Sequence, residues 1–192
     1  PGDIDPKLIG DAAITYLEGY LWDPPQAKEA FRKAAKAAHD AGRKVALTLS
    51  DAFCVGRYRD EFLKLMRDRT VDLVFANEAE LKSLYETADF DTGIAALKND
   101  VALAVVTRSE KGCVVVSKDN TLAVPAAPIE KLVDTTGAGD LFAAGFLFGL
   151  ANGRDHAACG KLAALAAAEV IQHIGARPAV SLKALAQENG LL

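Results

Sequence analysis

The segment Val133-Asp134-Thr135-Thr136-Gly137-Ala138-Gly139-Asp140-Leu141-Phe142 sets two glycines and two acids at the head of a long Ala/Leu/Phe/Gly-rich run. Glycine bends a backbone sharply and lets it come close to a bulky group, and the first amides of a helix offer unsatisfied N–H donors to an anion. Gly137, Ala138 and Gly139 at such a tip would favour negative charge developing on a transferred phosphoryl group. Asp140, just inside the helix, could then accept the proton of an acceptor hydroxyl. The same spacing also fits a plain capped helix. Thr135 or Thr136 would be the cap, and Asp140 a first-turn acid worth under about 1 kcal/mol against the helix dipole. Spacing alone leaves both readings open.

Two further polar clusters carry a similar ambiguity. Asn77-Glu78-Ala79-Glu80 has the spacing of a capping box, in which Asn77 caps a helix and Glu80 reaches back to its amide. Thr107-Arg108-Ser109-Glu110-Lys111-Gly112 follows an apolar run and reads as a tight turn. His39, His156 and His173 read as structural. Cys54, Cys113 and Cys159 are odd in number, widely separated and free of CxxC or Cys/His metal spacing, so they read as reduced thiols of a cytoplasmic protein.

The elements that must position these groups alternate. AITYLEGYL (13–21) is a short apolar and aromatic run. A helix follows, with Asp23 as N-cap, Pro24 and Pro25 in its first turn and Gly42 as its stop. KVALTLS reads as a buried strand, VGRYRDEFLKLMRDR as an amphipathic helix, VDLVFA as a strand and NEAELKSLYE as a helix. FDTGIAALKND is a weaker helix and VALAVVT another strand. GCVVVSKDNTLAVPA reads as a hairpin turning at Asp119-Asn120. Helices are predicted over 137–152, 156–173 and 181–188. Such alternation predicts a three-layer α/β/α fold on a mainly parallel sheet, with ligands beyond the carboxyl ends of the strands. Ser50-Asp51, Asn77, Arg108-Ser109 and Asp134 each follow a strand-like run, which would gather them along one edge.

Composition narrows the class. The chain has 192 residues, 51% of them hydrophobic and 25% charged, the balance of one compact domain spanning 1–192. A formal charge of −4 offers no broad basic footprint for nucleic acid, so any phosphate must be bound locally. No apolar run is long enough for a membrane helix, and the N-terminus has no signal-peptide pattern. No P-loop, Rossmann GxGxxG turn, HExxH or GxSxG motif is present, so phosphates would need another cradle, which the GAGD helix start supplies.

DTTGAGDLFAAG resembles the C-terminal signature of the ribokinase-like (PfkB) carbohydrate and nucleoside kinases. The resemblance implies that Asp140 is the catalytic base, and that the backbone of Gly137, Ala138 and Gly139 is the anion hole. It implies ATP and Mg²⁺ as cofactors, with Asn77 and Glu80 supporting the Mg²⁺ shell, Glu80 partly through metal-bound water. Thr107, Ser109 and Gly112 match the family's TxGxxG nucleotide loop, with Ser109 in place of the first glycine. HIGARP matches the loop beside the adenine, which makes Gly175 and Ala176 nucleotide contacts, and Asp134 with Thr136 could hold a monovalent cation such as K⁺. TYLEGYLWDPP, ALTLSDAFCV and FANEAELKSLY are most similar to the adenosine kinase-like branch.

The acceptor implied is therefore a small molecule, the 5′-hydroxyl of adenosine or, alternatively, a sugar such as ribose or fructose. A non-catalytic nucleotide-binding module is the reading from another class. The family's sugar-reading diglycine and its lid belong to an N-terminal part that this chain does not resemble, and the chain contains no Gly-Gly pair. The chain is thus expected to be the C-terminal portion of a longer kinase, inactive alone, with any homodimer built through the missing lid.

Overall fold

The structure is a computed structural model that describes residues 1–192. The apolar runs expected as strands form β2 (Lys44–Thr48), β3 (Leu73–Asn77) and β4 (Leu103–Thr107), the aromatic run at 13–21 supplies a further strand, β1 (Ile14–Glu18), and the four pair in parallel in the order β1-β2-β3-β4. The unbroken runs of buried residues in β2, β3 and β4 are what helices on both faces of a parallel sheet produce, while β1, at the sheet edge, has only Thr15 buried. β5 (Cys113–Ser117) and β6 (Thr121–Val124) form the hairpin predicted at Asp119-Asn120, and the six strands lie in the order β1-β2-β3-β4-β5-β6. Eight helices accompany them: α1 (Pro6–Asp11), α2 (Pro25–Asp40), α3 (Ala52–Arg67), α4 (Glu78–Tyr85), α5 (Phe90–Asp100), α6 (Ala138–Ala151), α7 (His156–Val170) and α8 (Leu182–Glu188).

Chain contacts group into two units, Pro1–Thr107 with Val116–Thr121, and Arg108–Val115 with Leu122–Leu192. In the first, Trp22 is fully buried, with its ring centroid 5.2 Å from that of Phe31 in α2 and 5.8 Å from that of Phe62 in α3. Its indole N–H donates to Glu61, which also receives Lys28 at 2.7 Å, so the one polar atom of a large core side chain is satisfied. In the second unit α6 and α7 pack closely. A Cβ placed on Gly145 would lie 2.7 Å from the Leu162 carbonyl, so the helices meet there at backbone distance. No helix is long and apolar enough to cross a membrane. Cys54, Cys113 and Cys159 are free and buried.

Four local expectations change. Asp23 does not cap α2; Pro24 occupies the N-cap with Pro25 behind it, and the Asp23 carboxylate instead meets Arg57 at 3.2 Å. α3 starts three residues earlier than its apolar periodicity suggests, because Asp51 accepts the Phe53 and Cys54 amides and fixes the first turn. α7 ends at Val170 rather than 173. No strand precedes Asp134; the amides of Val133 and Asp134 both donate to the Ile171 carbonyl, so that stretch is tied to the loop after α7 and not to a sheet.

Candidate active site

In the second unit, the GAGD segment is built around Gly137. This residue is the N-cap of α6 and sits in the left-handed region at φ 80°, where a side chain is strained. A Cβ there would also lie 2.8 Å from Cβ of Ala176, so conformation and space both demand glycine. The Ala138 amide donates to the Thr135 carbonyl and the Leu141 amide to the Gly137 carbonyl, which leaves the Gly139 and Asp140 amides without an acceptor inside the helix. Nothing lies within 4 Å of the Cβ position of Gly139, and Asp140 is exposed. Neither Thr135 nor Thr136 caps α6 through its side chain. Donor amides, open space and an exposed carboxylate therefore meet at one helix tip.

Asp134 ties that tip to the loop after α7. Its Oδ1 accepts the Thr136 amide at 2.9 Å and the Thr136 hydroxyl at 2.7 Å, and its Oδ2 accepts the Gly175 amide at 3.0 Å. The Gly175 amide first, and then Thr136, stabilise the ionised form and hold this carboxyl down at about 2. Asp134, Thr136, Gly137, Gly175 and Ala176, predicted separately as cation, anion-hole and nucleotide residues, form one connected corner. The loop is fastened at a second carboxylate: Glu169, in the last turn of α7, accepts the Ala179 amide at 2.8 Å and lies 3.2 Å from Nε2 of His173. Sequence reasoning missed Glu169; its one signal was a lone charge in an otherwise apolar helix end.

Ser109 and Gly112 share a tight turn in the same unit. The Arg108 amide donates to the Gly112 carbonyl at 2.7 Å and the Gly112 amide to the Ser109 carbonyl at 3.0 Å. Ser109, standing where the family pattern has glycine, keeps a left-handed backbone at φ 51°. Gly112 has φ 80°, and a Cβ on it would fall 2.1 Å from the Val124 carbonyl oxygen, so no larger residue fits this turn.

In the first unit, Asn77 and Thr107 end β3 and β4 side by side, as paired residues of the parallel register. The Thr107 hydroxyl donates to the Ala76 carbonyl at 3.5 Å. Asn77 and Glu80 form a complete capping box: the Glu80 amide donates to Asn77 Oδ1 at 2.8 Å, while Glu80 accepts the Asn77 amide at 2.9 Å and its Nδ2 at 2.7 Å. Glu80 is only 4% exposed, and burial pushes its carboxyl up, with Asp51 adding to the effect and the Asn77 amide opposing it. Both Glu80 oxygens are engaged with Asn77, and no group of three or more His, Cys, Asp or Glu is gathered here. The residues fit a metal only through intervening water, the mode expected for a cation that dehydrates reluctantly.

The mainly parallel six-stranded sheet with its helices defines an α/β fold, and the start of α6 is built on glycine with open first-turn amides. Residues 3–183 match the pfkB family of carbohydrate kinases, and the chain belongs to that family. The adenosine kinase of Sinorhizobium meliloti superposes with a TM-score of 0.96 at 54% identity, covering 98% of this chain and 58% of that one. A probable sugar kinase from Rhizobium etli CFN 42 superposes with a TM-score of 0.98 at 52% identity, covering 100% of this chain and 58% of its own. The adenosine kinase of Saccharomyces cerevisiae is 28% identical over 181 residues, 88% of this chain and 52% of that protein. The chain spans about half the length of the curated relatives it matches.

Proposed function

We propose that this chain forms the phosphate-handling part of an ATP- and Mg²⁺-dependent phosphotransferase acting on a primary hydroxyl, the 5′-hydroxyl of adenosine. The single observation that carries the reading is the tip of α6, where an exposed Asp140 stands beside the open face of Gly139 and the unpaired first-turn amides. Asp140 takes the proton of the attacking hydroxyl, and the open amides of Gly139 and Asp140 meet the charge that spreads over the transferred group, the Ala138 amide expected in the anion hole being taken by the Thr135 carbonyl. Bound Mg²⁺ supplies charge neutralisation of the phosphates, with Glu80 and Asn77 ordering water toward it rather than binding it. Ser109, Gly112, Thr107, Gly175 and Ala176 shape the nucleotide's surroundings. K⁺ near Asp134 and Thr136 belongs to the same reading.

In the complete protein, Asp140→Asn is expected to bind ATP within about threefold of wild type and to lose turnover by about 10² to 10⁴, the worth of a general base. Full turnover in that variant would remove Asp140 from the chemistry. The likeness to a sugar kinase as well as to an adenosine kinase supports a second acceptor reading. Comparison of kcat/KM for adenosine, ribose and fructose separates the two. A preference of about tenfold or more for either sugar would overturn the nucleoside assignment. Nucleotide binding without transfer to any of the three would favour a non-catalytic module.

A further inference from the structure

The buried carboxylate of Glu169 is the group in the second unit that the proposed chemistry does not use. Its side chain is 9% exposed, in a helix end otherwise made of Ala, Val and Ile. A buried carboxylate is costly unless its oxygens are well bonded. Oε1 carries both contacts, to the Ala179 amide and to His173, while Oε2 is buried with no partner in the protein. Local helix stability does not require such a residue there, since an apolar side chain would lie among its neighbours without desolvating a charge. What the carboxylate does contribute is a fixed point for the loop.

That loop, residues 171–181, has no helix or strand of its own. Asp134 holds it at Gly175 and Glu169 holds it at Ala179, four residues further on. Pro178 stiffens the span between them. Ala176 lies inside this span and is the residue packed against Gly137, the N-cap of α6. We infer that Glu169 is a positioning residue: through Ala179 it sets the height of the 175–179 span, and through Ala176 it sets the place of the α6 tip relative to bound nucleotide. The inference rests on the kinase reading of that tip. A displacement of about 1 Å at a reacting group can cost about 10²-fold in rate, so a latch of this kind has a functional consequence.

The test compares Glu169→Leu, Glu169→Asp and Glu169→Gln in the complete protein. Leu removes the acceptor, Asp withdraws it by one methylene, and Gln keeps a carbonyl oxygen for the Ala179 amide. The expected result is a rise of tenfold or more in the KM for ATP with Leu and Asp, a smaller change in kcat, and KM within threefold of wild type for Gln. Should Leu not be recovered folded, Asp reads the same contact. Unchanged KM in folded Leu or Asp variants, or a Gln variant as impaired as Leu, would overturn the inference. A merely structural role would lower Tm and leave KM alone. Hydrogen exchange of the Gly175 and Ala179 amides gives a second readout that needs no activity: exchange at least tenfold faster in Leu and Asp supports the latch, and unchanged exchange refutes it. Absence of ATP binding in the wild-type protein would instead sink the kinase reading, leaving the exchange result to decide the latch.

Discussion

Two helix starts in this chain carry the same ingredients and use them in opposite ways. At α4, Asn77 caps, and the first-turn acid Glu80 turns back on the cap, buried, with both oxygens occupied. At α6, Gly137 caps without a side chain, and the first-turn acid Asp140 stays exposed beside open space. The difference follows from the capping residue. Asparagine brings a side chain that binds the third residue and is bound by it, which consumes the carboxylate. Glycine brings none, so the amides and the acid remain available to a ligand. An acid in a first turn is therefore read from what caps the helix, and less from its spacing.

The widest separation between the two starts is expected from paired substitutions. Asp140→Asn should lose turnover by about 10² to 10⁴ while unfolding within about 0.5 kcal/mol of wild type, as an exposed position allows. Glu80→Gln should do the reverse, because an amide N–H₂ would face an Asn77 donor. It should lose about 1–3 kcal/mol in denaturant unfolding with turnover reduced less than tenfold. Similar phenotypes at both sites would break the comparison.

Next in size is Gly137→Ala, which forces a Cβ into the left-handed region and against Ala176. It should cost about 1–3 kcal/mol of stability and, by moving the tip, about 10²-fold in turnover. Calorimetry and steady-state kinetics on one preparation check both.

A smaller effect is expected from pH. Asp134 is depressed from its ordinary value of 3.8 to about 2, so its contribution to stability is complete above the ordinary value and is lost as pH falls through about 2. Thermal unfolding between pH 5 and 2 should show wild type losing stability more steeply on acidification than Asp134→Asn. Parallel profiles would mean that the Gly175 and Thr136 contacts contribute nothing to the native state.

Much of the frame was legible in the sequence. KVALT, LVFAN and LAVVT are uninterrupted apolar runs of strand length, and Asp119-Asn120 announces a hairpin, so β2 to β6 follow from local pattern. The capping box was legible because its two residues are three apart and its hydrogen bonds run between them. The corner around Gly137 was legible as a motif but not as a structure. Asp134 looked like the residue after a strand because Leu132 and Val133 are apolar, whereas its backbone bonds run to Ile171, far along the chain. Glu169 was invisible for the same reason: its partner Ala179 lies in a loop with no pattern of its own. Asp23 lost its predicted cap to Pro24 through a tertiary pairing with Arg57 that no local rule contains. Helix α1 has a visible cap in Asp5 and a proline behind it, yet at six residues it shows no apolar period to read.

The measurement closest to the central claim is chemical rescue of Asp140→Ala in the complete protein by added formate or acetate. If the carboxylate at the α6 tip takes a proton, the variant should lose turnover by about 10² or more and regain part of it in proportion to the added carboxylate, with ATP affinity unchanged. An Asp140→Ala variant that turns over within about threefold of wild type with no carboxylate added would contradict the account, and the residue would be only a first-turn acid on a helix.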